Sequence, residues 1–133
     1  MSKVILVTGG SKGIGANIVE GLARKGYTVI LNYNNSEKEA KSIQNRLNEE
    51  NINIDICQAD VSIHTEVTKL INYCINKYHK IDVLINNAGI SQTKLFTDIT
   101  DVDWYNMLQT NLTSAFYTIK DTLPCMIHNK NGC

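Results

Sequence analysis

Proline is almost absent from this chain, one residue in 133, and tryptophan also occurs once. Surplus charge is missing too, since 13 lysines and arginines stand against 13 aspartates and glutamates. A balanced surface offers no field to a polyanion, so neither a nucleic acid nor an anionic membrane is an expected partner. A hydrophobic fraction of 43% with 20% charged residues excludes an intrinsically disordered chain. Long apolar runs are lacking as well. The first run, Val4-Ile-Leu-Val7, is far too short for a signal-peptide core or a membrane span, which leads us to expect a cytoplasmic location. Cys57, Cys74, Cys125 and Cys133 show no C-x-x-C spacing. In a reducing compartment they should be thiols, with Cys57 and Cys74 as core residues. Cys125-Met-Ile-His128 offers two ligands where a structural zinc site needs four, so no metal is expected.

What the chain does contain is a regular alternation of strand-like and helix-like segments over residues 1–133, read as one domain. Val4–Val7 suits a strand buried on both faces. From Gly13 the period changes, with Ile14, Ile18 and Leu22 on one side of a helix that ends at Gly26. Tyr27–Leu31 reads as a second strand. Ser36-Glu-Lys-Glu39 has capping-box spacing and opens a helix with Ala40, Ile43 and Leu47 inward. Ile52–Cys57 alternates as a third strand. Val67, Leu70, Ile71, Cys74, Ile75 and Tyr78 mark an amphipathic helix, and Ile81–Ile85 a fourth strand. Thr100-Asp-Val-Asp103 can cap a long last helix, whose inward face would hold Met107, Leu108, Leu112, Ala115, Phe116, Ile119 and Leu123. Pro124 is placed to kink it.

The segment Thr8-Gly-Gly-Ser-Lys-Gly-Ile-Gly15 follows the first strand and opens the first helix. There, free backbone N–H groups and the positive end of the helix dipole face one point, which makes an anion site. Gly9 permits the tight turn, Gly13 lets the backbone approach a pyrophosphate, and Gly15 allows helix to pack on strand. This context favours dinucleotide binding over a plain structural turn. An NAD-selective site places a carboxylate at the end of the second strand. Here the strand runs into Leu31-Asn-Tyr-Asn-Asn-Ser36, with no carboxylate before Glu37. NADP(H) is therefore favoured over NAD(H). Lys12 and the Ser36 hydroxyl are candidates to contact a 2′-phosphate, although Lys12 can equally be a solvated surface charge.

With these residues in place, the chain resembles the short-chain dehydrogenase/reductase family. Thr8-Gly-x-x-x-Gly-Ile-Gly15 is similar to its glycine motif, Ala59-Asp-Val61 to the segment that meets the adenine, and Asn86-Asn-Ala-Gly89 to its N-N-A-G motif. Asp103-Trp104 and Asn111-Leu112 fall in the same order, and the resemblance runs from Lys3 to about Gly132. It implies a Rossmann-type α/β fold, a parallel sheet of order 3-2-1-4 with helices on both faces. It also implies a cofactor site of Gly9, Ser11, Lys12, Gly13, Ile14, Gly15, Asn32, Ser36, Asp60, Val61, Asn87, Ala88 and Gly89, with Asn111 holding a water in a proton relay. Each assignment has a plainer reading. Asp60 can cap the next helix, the Asn pair can tie loops together, and Asn111 can be a satisfied core amide.

The opening from Val4 to Ala40 looks like that of bacterial 3-oxoacyl-[acyl-carrier-protein] reductases, which implies a carbonyl substrate, free or carried on acyl-carrier protein. The family's catalytic Ser and Tyr-x-x-x-Lys follow a fifth strand, and this sequence reaches Asn131-Gly-Cys133 where that strand should begin. Tyr73-Cys-Ile-Asn-Lys77 matches the motif as text but precedes Asn86, so it is read as helix rim. The expectation is a cofactor-binding part that is inactive alone, with an open edge at the fourth strand and self-association through the last helix. Alternatives are a non-catalytic binding module or a remnant without function.

Overall fold

The computed structural model describes residues 2–133. Among them, four parallel strands form one sheet in the order β3-β2-β1-β4. The strands are β1 (Val4–Val7), β2 (Thr28–Tyr33), β3 (Asp55–Gln58) and β4 (Val83–Ile85). Helices α1 (Gly13–Arg24), α2 (Glu37–Glu49) and α3 (His64–Tyr78) alternate with them, and α4 (Asp101–Leu108) and α5 (Ser114–His128) follow. This is the Rossmann-type sheet that the resemblance implies.

Strand parity sorts the core into two layers. Ile5, Val7, Val29, Leu31 and Tyr33 face α1 and α2, where Val19, Ala23, Ala40, Ile43 and Leu47 meet them. Val4, Leu6 and Ile30 face the other way, onto Val67, Leu70, Ile71 and Cys74 of α3. Side chains alternate across a strand, so one apolar run serves both layers.

Three strands differ at their ends from the sequence reading. β2 runs two residues further, to Tyr33, while β3 and β4 begin later, at Asp55 and Val83. At β2 the extension has a physical cause: Asn32 and Tyr33 continue the pairing with Cys57 and Gln58 after β1 has ended.

The last helix differs more. It is interrupted by a π-helical turn at Gln109–Thr113, and α5 carries Pro124 without ending there. Its expected inward face is wrong. Ser114, Thr118 and Thr122 are the buried residues of α5, whereas Leu112, Phe116, Ile119 and Leu123 are 45–65% exposed, with Ile127 beside them at 66%. Thr118 donates to Asn86 Oδ1 just after β4 at 2.6 Å, and α5 also packs against α3. There His64 stacks on Tyr117 with ring centroids 4.4 Å apart and hydrogen-bonds Asp121 at 3.0 Å, while Thr68 donates to the same carboxylate at 2.6 Å.

Beside β4, on the side away from β1, Cys133 donates its N–H to Asp82 O at 3.0 Å, and its carbonyl accepts from Leu84 N–H at 2.8 Å. That is the bonding of a parallel neighbour. Asp82 anchors this corner, accepting from Val4 N–H at 2.8 Å and Asn131 Nδ2 at 2.9 Å, with Lys80 Nζ also at 2.8 Å. No described helix is long and apolar enough to cross a membrane.

Candidate dinucleotide site

The site is built where three strands end at the same edge of the sheet. After β1, Thr8 is buried and its hydroxyl accepts from the N–H groups of Asn87 and Ala88, both at 3.0 Å. Asn87 Nδ2 returns a bond to Gly9 O at 2.9 Å. The glycine turn and the segment after β4 are thus tied together before any ligand arrives. Gly9 has φ +60, and a Cβ there would lie 2.8 Å from Ala88 Cα. A Cβ on Gly15 would overlap Gly9 O and Asn87 Nδ2. Both positions need glycine because backbone meets backbone.

The N-terminus of α1 follows this turn directly. Its N-cap, Lys12, makes no side-chain cap bond and its first turn holds no acidic residue. The first N–H groups of a helix lack intrahelical acceptors, so residues 13–15 present donors and a positive dipole end. Gly13 has φ +53, with nothing within 4 Å of where its Cβ would stand. That open space beside uncapped donors fits a pyrophosphate. Ser11 is buried within the loop, and Ile14 stands 75% exposed at the rim.

At the end of β2, Asn32 is only 1% exposed. Its Nδ2 donates to Ala59 O at 3.1 Å and Cys57 O at 3.3 Å, and Oδ1 accepts from Gly9 N–H at 3.4 Å. Its amide is therefore committed to protein backbone. Ser36 is the N-cap of α2 but makes no side-chain cap bond, so the expected box with Glu39 does not form. Glu39 instead lies 3.8 Å from Lys12 Nζ, a pair exposed to solvent at the mouth of the site.

Past β3, Asp60 Oδ1 accepts from Ser62 N–H at 2.9 Å and Ser62 Oγ at 2.6 Å, a local turn ahead of α3. The N-cap of α3 is Ile63, without a side-chain cap bond, so Asp60 does not cap that helix as the plainer reading expects. Val61 is buried. Asn111 lies in the π turn and is exposed, not part of an apolar inward face. Its Oδ1 accepts from Ile90 N–H at 2.7 Å, and its Nδ2 donates to Ile90 O at 2.9 Å. A Cβ on Gly89 would come within 3.0 Å of Asn111 Oδ1. Asn111 thereby clasps the chain just after Asn86-Asn-Ala-Gly89, and π turns of this kind recur at functional sites.

The structure thus brings the glycine loop, Asn32, Asp60 and Asn87–Gly89 to one sheet edge, with Asn111 on the flank. Thr8 was not singled out by sequence reasoning. A hydroxyl at the last position before a glycine turn was the available signal. Among the described residues, no group of three or more His, Cys, Asp or Glu could hold a metal ion.

Tyr73 and Lys77 lie elsewhere, on α3 against β3. Lys77 Nζ is 3.4 Å from Tyr73 Oη, but both donate to Asp55, as does Tyr78, at distances of 2.7–2.8 Å. Partial burial and the Asp55 carboxylate raise the Tyr73 hydroxyl pKa. Burial and the same carboxylate push Tyr78 up to about 12. A proton donor activated by lysine needs the opposite shift.

Residues 3–133 match the family model described as short chain dehydrogenase. The 3-oxoacyl-[acyl-carrier-protein] reductase FabG of Staphylococcus epidermidis is 33% identical over 132 residues, covering 99% of this chain and 54% of that protein. FabG of Buchnera aphidicola is 33% identical over 130 residues, covering 98% and 52%. Among solved structures, an actinorhodin polyketide ketoreductase with NADPH superposes with a TM-score of 0.91 at 30% identity, covering 98% of this chain and 51% of that one. The chain spans about half the length of the curated relatives it matches.

Proposed function

The chain belongs to the short-chain dehydrogenase family, and on that premise we propose that residues 1–133 form the cofactor-binding part of an NADP(H)-dependent carbonyl reductase. The observation that carries this reading is the uncapped, acid-free N-terminus of α1, set on a glycine turn fixed to Asn87 and Ala88. In this proposal the phosphates lie on Gly9, Ser11, Lys12, Gly13, Ile14 and Gly15. Asp60 and Val61 bound the adenine, Asn87, Ala88 and Gly89 line the inner floor, and Asn111 serves the proton relay. Bound NADPH would supply the hydride.

NADP(H) is favoured because β2 leads into Tyr33-Asn-Asn-Ser36 without a carboxylate, while Lys12 and the uncommitted cap of Ser36 flank that end. The ketoreductase named with NADPH supports the same choice. The reductase relatives support a 3-oxoacyl group on acyl-carrier protein as substrate. We further assign self-association to the exposed stripe Leu112, Phe116, Ile119, Leu123 and Ile127 on one side of the last helix.

Titrating the 133-residue chain with NADPH and following carbonyl-dependent NADPH oxidation tests this reading. Binding without turnover of a 3-oxoacyl thioester is expected. Absence of binding would remove the cofactor assignment, and robust turnover would show that residues 1–133 need no further catalytic groups.

A further inference from the structure

We propose that Asn32 is a positioning residue, which locks the glycine loop to the adenine side of the dinucleotide site without touching the cofactor. The inference rests on the dinucleotide reading above. Its starting point is a mismatch between residue type and place. Asn32 sits near the end of β2, 1% exposed, on the strand side where Ile30 packs into the apolar layer over α3. An amide in such a place is tolerated only when its polar atoms are paired. What matters here is which atoms pair with it.

Pairing between β1 and β2 ends at Val7 and Leu31. Beyond that point two oxygens of Asn32 take over. Its backbone carbonyl accepts from Gly10 N–H at 2.8 Å, and Oδ1 accepts from Gly9 N–H at 3.4 Å. The other half of the same amide reaches across the sheet to Cys57 O and Ala59 O, directly before Asp60 and Val61. One side chain therefore joins the segment that offers N–H groups to the phosphates and the segment assigned to the adenine. Neither segment is held to the other by strand pairing at this level, because β1 and β3 lie on opposite sides of β2. A loop fixed in its bound shape binds more tightly, since ordering it no longer opposes association.

Replacing Asn32 with alanine (N32A) should weaken NADPH binding at least tenfold. It should also speed hydrogen exchange at the Gly9 and Gly10 amides, while Leu6 in β1 keeps its protection. A purely structural role would loosen Leu6 together with the glycines, and that result overturns the proposal, as does unchanged NADPH affinity. If N32A does not fold, the unsubstituted chain decides. Gly9 N–H should be protected, and the Asn32 side-chain amide should show no nuclear Overhauser contact to bound NADPH. An unprotected Gly9 or such a contact overturns the inference and leaves the cofactor assignment standing. Failure of the unsubstituted chain to bind NADPH overturns both.

Discussion

The two flanks of this sheet are finished to different degrees. On the α1–α2 flank, Val19, Val29, Leu31, Ala40 and Leu47 are fully buried and the helices present polar residues outward. On the α5 flank the order is inverted. Hydroxyl residues Ser114, Thr118 and Thr122 face inward, and an apolar stripe from Leu112 to Ile127 faces out. Helices α1 and α5, of 12 and 15 residues, thus do different work. The first flank closes a core and aims a helix terminus at the site. The second reaches the core through small residues and leaves its large apolar side chains exposed. Leucine truncation would expose the contrast most strongly. Leu31→Ala should cost about 2–5 kcal/mol, the usual range for a buried leucine. Leu123→Ala should stay within about 0.5 kcal/mol in the monomer, as expected for an exposed position. Chemical denaturation at low protein concentration compares them, and equal losses would mean that the stripe is covered within the monomer.

This contrast also marks what the sequence made legible. β1 reads directly because an unbroken run of four aliphatic residues has only one economical place, the middle of a doubly covered sheet. The glycine loop reads equally well, since its spacing answers a backbone requirement that the structure shows at Gly9 and Gly15. Periodicity found the apolar stripe of the last helix but could not tell a core face from an exposed one. The π turn at Gln109–Thr113 left no compositional trace. Capping shows a finer limit. Ser36 and Thr100 share the same cap spacing, yet only Thr100 forms the box, with Asp103. Thr100 has extended backbone with ψ 165, which aims its hydroxyl at the N–H of Asp103. Ser36 has ψ 54 and does not.

At the seam between the flanks stands Asp82, and it should give the next largest effect. Burial by itself would raise its pKa, but hydrogen bonds from Lys80, Val4 N–H and Asn131 outweigh burial and hold the carboxyl below its ordinary range. A carboxyl depressed by folding contributes stability above its unfolded pKa, near 4, and that contribution is lost as pH falls through the lower folded value. Asp82→Asn should therefore lose roughly 1.5–3 kcal/mol at pH 7, the range for hydrogen bonds to a charged group. The difference from the unsubstituted chain should shrink as pH falls below the ordinary carboxylate range, near 4. Melting curves across that range read it directly. A constant difference would assign Asp82 a role in packing rather than charge.

The smallest effect concerns the mouth of the site on the finished flank. Lys12 and Glu39 form an exposed pair 3.8 Å apart, and such pairs contribute about 0–1 kcal/mol to folding. Lys12→Ala should accordingly leave the melting temperature almost unchanged. Its consequence should appear in the choice of dinucleotide. On the proposed NADP(H) reading, a 2′-phosphate between the glycine loop and Ser36 would compete with Glu39 for the ammonium group, so removing Lys12 would take away the phosphate's partner and leave the repelling carboxylate. The affinity ratio of NADPH to NADH should fall about fivefold, equivalent to ~1 kcal/mol. Glu39→Gln should move the ratio the other way, because it removes the competitor and keeps the cation. Parallel titrations with the two dinucleotides decide the matter. An equal loss for both in the Lys12 variant would place that ammonium over the pyrophosphate. The proposed preference for NADPH would then rest on the absence of a carboxylate after β2.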